Sequence, residues 1–324
     1  MDGTAARVFG CSHRVFGTAV TILGVLALCP DTLMLREVED ANDWTVIFFR
    51  ALFFGAFMTA FQLLHDGSPQ RTLNTFYALG SLGLAAGTLQ GASQLFFTLA
   101  VQNTAVANVL VINSTNPIFS AIFSVFILKE RIPWKTVIVI FICFGAILVV
   151  FSNELGSGSS SSSAFVGNLF ALAAACTVGL YFVLVRLATM RYESADMLPC
   201  NIVSGVVMSL VAVAIGQGLT PLTSRDYGLL VAQGLGLAVS FGLLTIGPAY
   251  ISAPEVSLYT LIETIIAPVY VYLAGYEAPP QNTIYGGIMI LVALFGHRYV
   301  AAKCSKSHFI TDLAFFRYER NTTR

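Results

Sequence analysis

Thr104-Ala-Val-Ala-Asn108-Val-Leu-Val-Ile-Asn113-Ser-Thr-Asn116-Pro117 and Ile251-Ser-Ala-Pro-Glu255-Val-Ser-Leu-Tyr259-Thr-Leu-Ile-Glu263-Thr264 lie on one another without a gap at an offset of 147 residues. Each is an apolar segment carrying polar groups eight positions apart, Asn108 and Asn116 in one and Glu255 and Glu263 in the other. The same offset pairs Glu130 with Glu277, and an offset of 150 pairs Gly17 with Gly167, Arg36 with Arg186 and Gly55 with Gly205. Between the copies stands Gly156-Ser157-Gly158 followed by Ser159 to Ser163, a flexible linker by composition. The chain is a duplication.

Composition says where the duplication lives. Of 324 residues, 56% are hydrophobic and 10% charged, with a mean hydropathy of +0.78, against about 25% charged in a soluble chain. The runs Val15 to Cys29, Thr45 to Leu64, Val137 to Phe151 and Tyr285 to Phe295 hold no charge except Arg50. With their flanks they approach the length needed to cross a hydrocarbon layer of about 30 Å as a helix. An all-α polytopic membrane protein follows, with ten expected transmembrane helices near 15–34, 44–64, 78–102, 104–127, 134–152, 165–186, 198–217, 227–249, 255–274 and 283–301.

Cations orient it. With the N-terminus cytoplasmic, fourteen Lys and Arg fall on that side, and Arg36 and Arg225 alone on the other, with Arg50 inside a span. Both termini are therefore expected in the cytoplasm. The expected organisation is a cytoplasmic N-terminal tail 1–14, a first five-helix repeat 15–152, the Gly/Ser linker 153–164, a second repeat 165–301 and a cytoplasmic C-terminal tail 302–324. Five is odd, so the second repeat enters the membrane inverted, placing Glu130 inside and Glu277 outside. Inverted repeats with a site near the midplane are a device of secondary transporters.

The residues resemble the EamA-type members of the drug/metabolite transporter superfamily over about 15–301. The resemblance rests on Ala100 to Asn108, Asn116-Pro117 and Leu128-Lys-Glu130-Arg131 in the first half. In the second it rests on Leu261-Ile-Glu263, Ala267-Pro268, Gly275-Tyr-Glu277 and Gly286-Gly287. Near the start, Pro30-Asp31 through Arg36, Trp44-Thr45 and Phe49-Arg50-Ala51-Leu52 also look like the family. The resemblance implies an alternating-access bundle carrying small organic metabolites.

Glu263 sits near the centre of the ninth span, where an acid costs about 2.5–3.5 kcal/mol on insertion scales. Three readings of it stay open: a proton-coupling carboxylate, a direct ligand for a cationic or amine-bearing substrate, or a buried acid held by interhelical hydrogen bonds. Glu255, Tyr259 and Glu263 follow at i, i+4 and i+8, one stripe along the helix. Asn108 and Asn116 mark the equivalent stripe of the fourth span, so both are expected to face a shared axis. Pro117 and Pro268 interrupt these spans and free the carbonyls of Asn113 and Thr264 for a cavity.

The expected substrate-binding set is thus Asn108, Asn113, Asn116, Gln94, Tyr259 and Glu263. Gln90 lies one turn from Gln94 and is a weaker candidate for the same cavity, glutamines serving also as interhelical glue. The coupling or gating set is Glu263 and Glu255 with Asp31 and Arg50. Asp31 ends the first span and Arg50 lies about 9 Å into the second from Trp44 by helical rise, a depth at which they pair, with a structural role favoured over gating.

Other classes fit poorly. Six cysteines are scattered singly without CxxC spacing, and His13, His65, His297 and His308 lie in tails or at span ends. No catalytic set, metal site or cofactor is expected. Seventeen cations balance seventeen anions, which gives no pull on nucleic acid. The expected partners are a small-molecule substrate, the lipid bilayer and, as a candidate coupling ion, protons; nothing in the sequence sets an oligomeric state. A nucleotide-sugar-type carrier of the same superfamily is the alternative and a channel the more distant one. Only Arg50 is available inside a span for a polyanion, so a neutral, zwitterionic or cationic metabolite such as an amino acid or nucleobase fits better. The plasma membrane is favoured as the site of residence.

Overall fold

An uninterrupted apolar segment in lipid must satisfy its own backbone, and a helix does so. The computed structural model describes residues 3–38, 41–104, 106–130, 134–151, 162–191, 196–216 and 218–275, together with positions 285, 288, 289, 292 and 293. Twelve α-helices account for most of them: α1 (Gly3–Leu28), α2 (Asp31–Arg36), α3 (Asp43–Asp66), α4 (Pro69–Ala78), α5 (Gly80–Asn103), α6 (Val106–Asn113), α7 (Asn116–Phe123), α8 (Trp134–Phe151), α9 (Ser162–Arg191), α10 (Cys200–Ile215), α11 (Ser224–Tyr250) and α12 (Ala253–Leu273). A π-helical turn, Ser124–Leu128, extends α7. The described residues contain no strand.

Among the described residues, six stretches are long and apolar enough to cross a membrane: His13–Arg36, Asp43–Asp66, Gly80–Asn103, Asn108–Leu128, Phe165–Arg191 and Ser224–Tyr250. Helix is present at each of the first nine expected spans. Most of the tenth, with Glu277, the greater part of the linker and the tail 302–324, lies outside the described residues.

Local sequence sets the ends. The Asn42 side chain accepts from the Thr45 amide at 2.7 Å and opens α3. Gly67, at φ +69°, closes it in the left-handed conformation that glycine adopts without strain. Ser68 and Pro69, an N-cap followed by a proline in the first turn, start α4 in a region expected to be loop. Two further boundaries differ from expectation. Helix α1 begins at Gly3, inside the expected tail 1–14, and α9 begins at Ser162, inside the expected linker. Neither segment has a proline to prevent continuation.

Prolines break the first half more than the second. Pro30 separates α1 from α2, and Pro117 stands in the first turn of α7, which is set off from α6 by Ser114 and Thr115. Helix α12 runs through Pro268 without interruption, contrary to expectation. At the offset of 147, Pro117 stands opposite Thr264 and not Pro268, so the two prolines act at different levels of their helices.

The contacts recur when residues are exchanged by the two offsets. Helix α5 lies along α9 as α1 lies along α11, and α10 crosses α5 as α3 crosses α11. Gly17 lets α1 approach Tyr250 and Ile251, and Gly167 lets α9 approach Asn103 and Thr104, which are the equivalent residues. Gly87 meets Val203 as Gly234 meets Phe53. Helices α3 and α10, each other's counterparts, meet at Gly55 and Gly205, and a pseudo-twofold axis passes between these glycines.

A Cβ on Gly205 would lie 2.6 Å from the Cα and 2.9 Å from the amide nitrogen of Gly55. Backbone cannot rotate away, so the crossing has to widen. Gly242 faces open space. Gly205→Ala is therefore expected to lose about 1–3 kcal/mol relative to Gly242→Ala, measured by thermal unfolding of the detergent-solubilised chain.

Candidate functional site

A guanidinium inside an apolar span needs an anion. Arg50, 1% exposed on α3, has Asp31, 5% exposed in the first turn of α2, at 2.6 Å. Its other terminal nitrogen donates to Thr98 Oγ1 on α5 at 2.7 Å. Thr98 in turn donates to the carbonyl of Gln94 at 2.9 Å. From the far side, Gln233 on α11 donates to the Asp31 backbone carbonyl at 3.1 Å. The break at Pro30 makes this possible, because it begins a new helix at Asp31 and turns the acid toward α3.

Beyond Asp31 lies a cavity of about 40 Å³. Its polar wall is Asp31, Ser93, Gln94, Asn113, Asn116, Thr260 and Glu263, and its apolar wall is Leu28, Phe97, Val178, Phe182, Phe241 and Leu244. These residues come from α1, α2, α5, α6, α7, α9, α11 and α12. Many are partners at the repeat offsets: Leu28 with Val178, Gln94 with Phe241, Phe97 with Leu244, Asn113 with Thr260, and Asn116 with Glu263. The cavity therefore straddles the pseudo-twofold axis. It has room for a few waters, well below the about 300 Å³ at which small-molecule sites begin. Admitting a metabolite requires the surrounding helices to part.

Glu263 is 4% exposed. Among the described residues no hydrogen-bond donor reaches its carboxylate, although it stands close enough to Asp31 and Arg50 to feel both charges. Asn116, across the axis, donates to Thr260 Oγ1 at 3.0 Å and leaves its own oxygen without a partner. The side-chain oxygen of Gln94 and one oxygen of Asp31 are also unpartnered. A site so short of donors invites a ligand that brings its own.

Of the residues singled out by sequence, the fold brings Gln94, Asn113, Asn116, Glu263 and Asp31 together at the cavity, with Arg50 directly behind Asp31. Three others stand apart. Glu255 is third in the capping box of α12, its carboxylate accepting from the Ser252 amide at 3.2 Å. Asn108 donates to Thr104 Oγ1 at 3.4 Å near the start of α6. Tyr259 lies in the apolar core with Tyr181 and Phe182. The stripe fails because its first member is spent on the helix terminus and its second faces a neighbouring helix. Gln90 is fully buried and does not line the cavity, and among the described residues both its amide atoms are unpartnered.

Sequence reasoning missed Thr98, whose signal is a hydroxyl one turn beyond Gln94. It missed also the second half's counterpart of the ion pair. At the repeat offsets Asp31, Arg50 and Thr98 correspond to Tyr181, Cys200 and Thr245. There the Tyr181 hydroxyl meets Thr245 Oγ1 at 2.7 Å, and Asn201 donates to the same atom at 2.8 Å. The geometry is repeated and the charges are not. Away from the cavity, His65, Asp66 and Asp196 bring ligand-type atoms within 4.8 Å of one another. Gln62 donates to Asp66 at 3.1 Å and to Asp196 at 2.9 Å, which accounts for the convergence of the two acids.

Arg186, the counterpart of Arg36, donates to the Pro248 carbonyl at 2.9 Å and pairs with Glu130 at 3.4 Å. Arg36 donates to the Thr104 carbonyl at 3.1 Å. Arg36, the last residue of α2, and Arg186, more than a turn before the end of α9, thus each tie their helix to the C-terminus of a neighbour.

Residues 16–152 and again 165–298 match the model of the EamA-like transporter family. The pseudopaline exporter CntI of Pseudomonas aeruginosa is 27% identical over 216 residues, 65% of this chain and 72% of that protein. The S-adenosylmethionine uptake transporter of Rickettsia bellii is 22% identical over 252 residues, 78% of this chain and 82% of that one. Human solute carrier family 35 member G1 is 22% identical over 298 residues, 86% of this chain and 78% of that one. A protein of known crystal structure superposes with a TM-score of 0.69 at 16% identity, covering 90% of this chain and 98% of that one, and so shares the fold.

The three charges give an ordering. Asp31→Asn leaves Arg50 facing Glu263, whereas Arg50→Leu leaves two acids and no cation. Breaking a buried pair costs about 3–5 kcal/mol. Arg50→Leu is expected to lose about that much and Asp31→Asn clearly less, read from thermal unfolding of the purified chains.

Proposed function

The chain belongs to the EamA-like transporter family, a multi-pass carrier of small molecules, and we propose that it is a secondary transporter working by alternating access about the cavity at Glu263. Its two inverted five-helix halves, ten spans in all with both termini cytoplasmic, rock against one another and open the cavity to each side in turn. The observation that carries this reading is a buried carboxylate beside the axis relating the halves, reached by no donor among the described residues, in a cavity lined from both. A structural acid would have acquired donors; this one is left for something that comes and goes.

The cargo is a small organic metabolite, neutral, zwitterionic or cationic, and the plasma membrane is the favoured location. Relatives named for pseudopaline export and for S-adenosylmethionine uptake agree with organic cargo and differ in direction. A nucleotide-sugar-type carrier fits less well. The cavity presents two carboxylates, and Arg50 is already engaged by Asp31 and Thr98.

Protons are the proposed coupling ion, with Glu263 as the group that takes one up and gives it back. The charged and titratable groups facing it are Asp31 on α2, Arg50 on α3 and the thiol of Cys29. Proteoliposomes loaded with amino acids, nucleobases, nucleosides and organic cations test the reading, released species being identified by mass spectrometry. Saturable release of one class that follows an imposed pH gradient is expected. In Glu263→Gln, release is expected to become indifferent to the gradient; a variant that still follows it would remove Glu263 from the coupling role.

A further inference from the structure

The charges around the cavity do not cancel. Asp31 and Glu263 contribute two negative charges and Arg50 one positive, and these three are the charged side chains that interact across the cavity wall among the described residues. Arg50 cannot give up its proton, and its bond to Asp31 consumes one of the acids. One carboxyl is left without a counter-ion, and it faces the cavity on Glu263. In a low-dielectric interior such a carboxyl either keeps a proton or exchanges it for a single positive charge delivered with hydrogen-bond donors.

The surroundings say what carries that charge. The oxygens of Gln94 and Asn116 at the cavity wall are unpartnered acceptors, so with Glu263 three acceptor groups stand around one small space. An ammonium group has three donors and no acceptor. Phe97, Phe182 and Phe241 also line the cavity, suited to the apolar body attached to such a group, and aromatic rings attract cations. The present volume of about 40 Å³ matches the head group rather than a whole metabolite.

We propose that the cavity is a site for a monocationic organic ammonium, seated on Glu263, with the Asp31–Arg50 pair fixing the charge it accepts at one. This rests on the transporter reading for its physiological meaning and on the cavity alone for its chemistry. The second half cannot offer the same site, since Tyr181 and Cys200 stand where Asp31 and Arg50 would be. The ligand is therefore held off the axis, on the side of α2 and α12.

Three probes of matched size test it on the purified full-length chain: 2-phenylethylammonium, 2-phenylethanol and phenylacetate, followed by ligand-induced thermal shift and calorimetry. The wild type is expected to bind the ammonium and neither of the others. Glu263→Gln, which changes one atom, is expected to weaken it at least tenfold. Asp31→Asn is expected to weaken it similarly although Glu263 is intact, because Arg50 then neutralises Glu263. Equal binding of the alcohol or of phenylacetate overturns the assignment, as does undiminished ammonium binding in a folded Glu263→Gln. Saturable transport of a neutral or anionic metabolite that the ammonium does not inhibit overturns the assignment and leaves the transporter reading standing. Ammonium binding without transport of any loaded species supports the assignment and counts against the transporter reading.

Discussion

A guanidinium that is 1% exposed in a membrane-spanning helix has to be neutralised by the protein, because nothing in lipid will do it. Much of the site follows from how Arg50 is satisfied. Its partner Asp31 is within reach only because Pro30 ends α1 and begins a short helix whose first turn is turned inward. Thr98 holds the second nitrogen and passes the hydrogen bond on to the Gln94 carbonyl, so the wall of the cavity and the ion pair form one network. With Arg50 committed, Glu263 is left without a counter-ion. Apolar side chains of similar volume in place of a buried ion pair are often neutral or stabilising, so the pair sets the charge at the cavity more than it holds the fold.

The second half shows what the same fold does without charge. Tyr181 and Thr245, at the places of Asp31 and Thr98, and Asn201, next to the Cys200 that replaces Arg50, join α9, α10 and α11 through neutral hydrogen bonds. The glycine contacts Gly17–Tyr250, Gly167–Asn103 and Gly55–Gly205 preserve the pseudo-twofold geometry. Packing is therefore symmetric while electrostatics and helix breaks are not: both Pro30 and Pro117 fall in the first half.

Much of this was legible in the sequence, for identifiable reasons. Apolar runs of membrane length fix helices at any tertiary arrangement, and the gapless pairing of Thr104–Pro117 with Ile251–Thr264 is enough to set Asn116 against Glu263. The depth of Asp31 and Arg50 along their helices was enough to pair them. What the sequence hid depended on where helices end and which face turns inward. Glu255 reads like Glu263 until the capping box at Ser252 claims it. Tyr259 shares the stripe but meets the core. Helix α4 was hidden by its polar composition, although Ser68-Pro69 signals its start. Pro268 resembled a helix break and is accommodated within α12. The Tyr181 cluster could not be read as a counterpart of an ion pair because it shares no charged residue with it.

The central claim is that one cavity on the axis between the halves is served from both faces of the membrane in turn. The most direct measurement places a single cysteine at Asn113, a cavity residue on α6, in an otherwise cysteine-free chain of known orientation in sealed vesicles. A membrane-impermeant thiol reagent is applied to one face or the other. Labelling from each face, with a transported substrate shifting the ratio of the two rates, is the predicted result. Labelling confined to one face under every substrate condition would contradict alternating access and reduce the cavity to a vestibule of a one-sided protein.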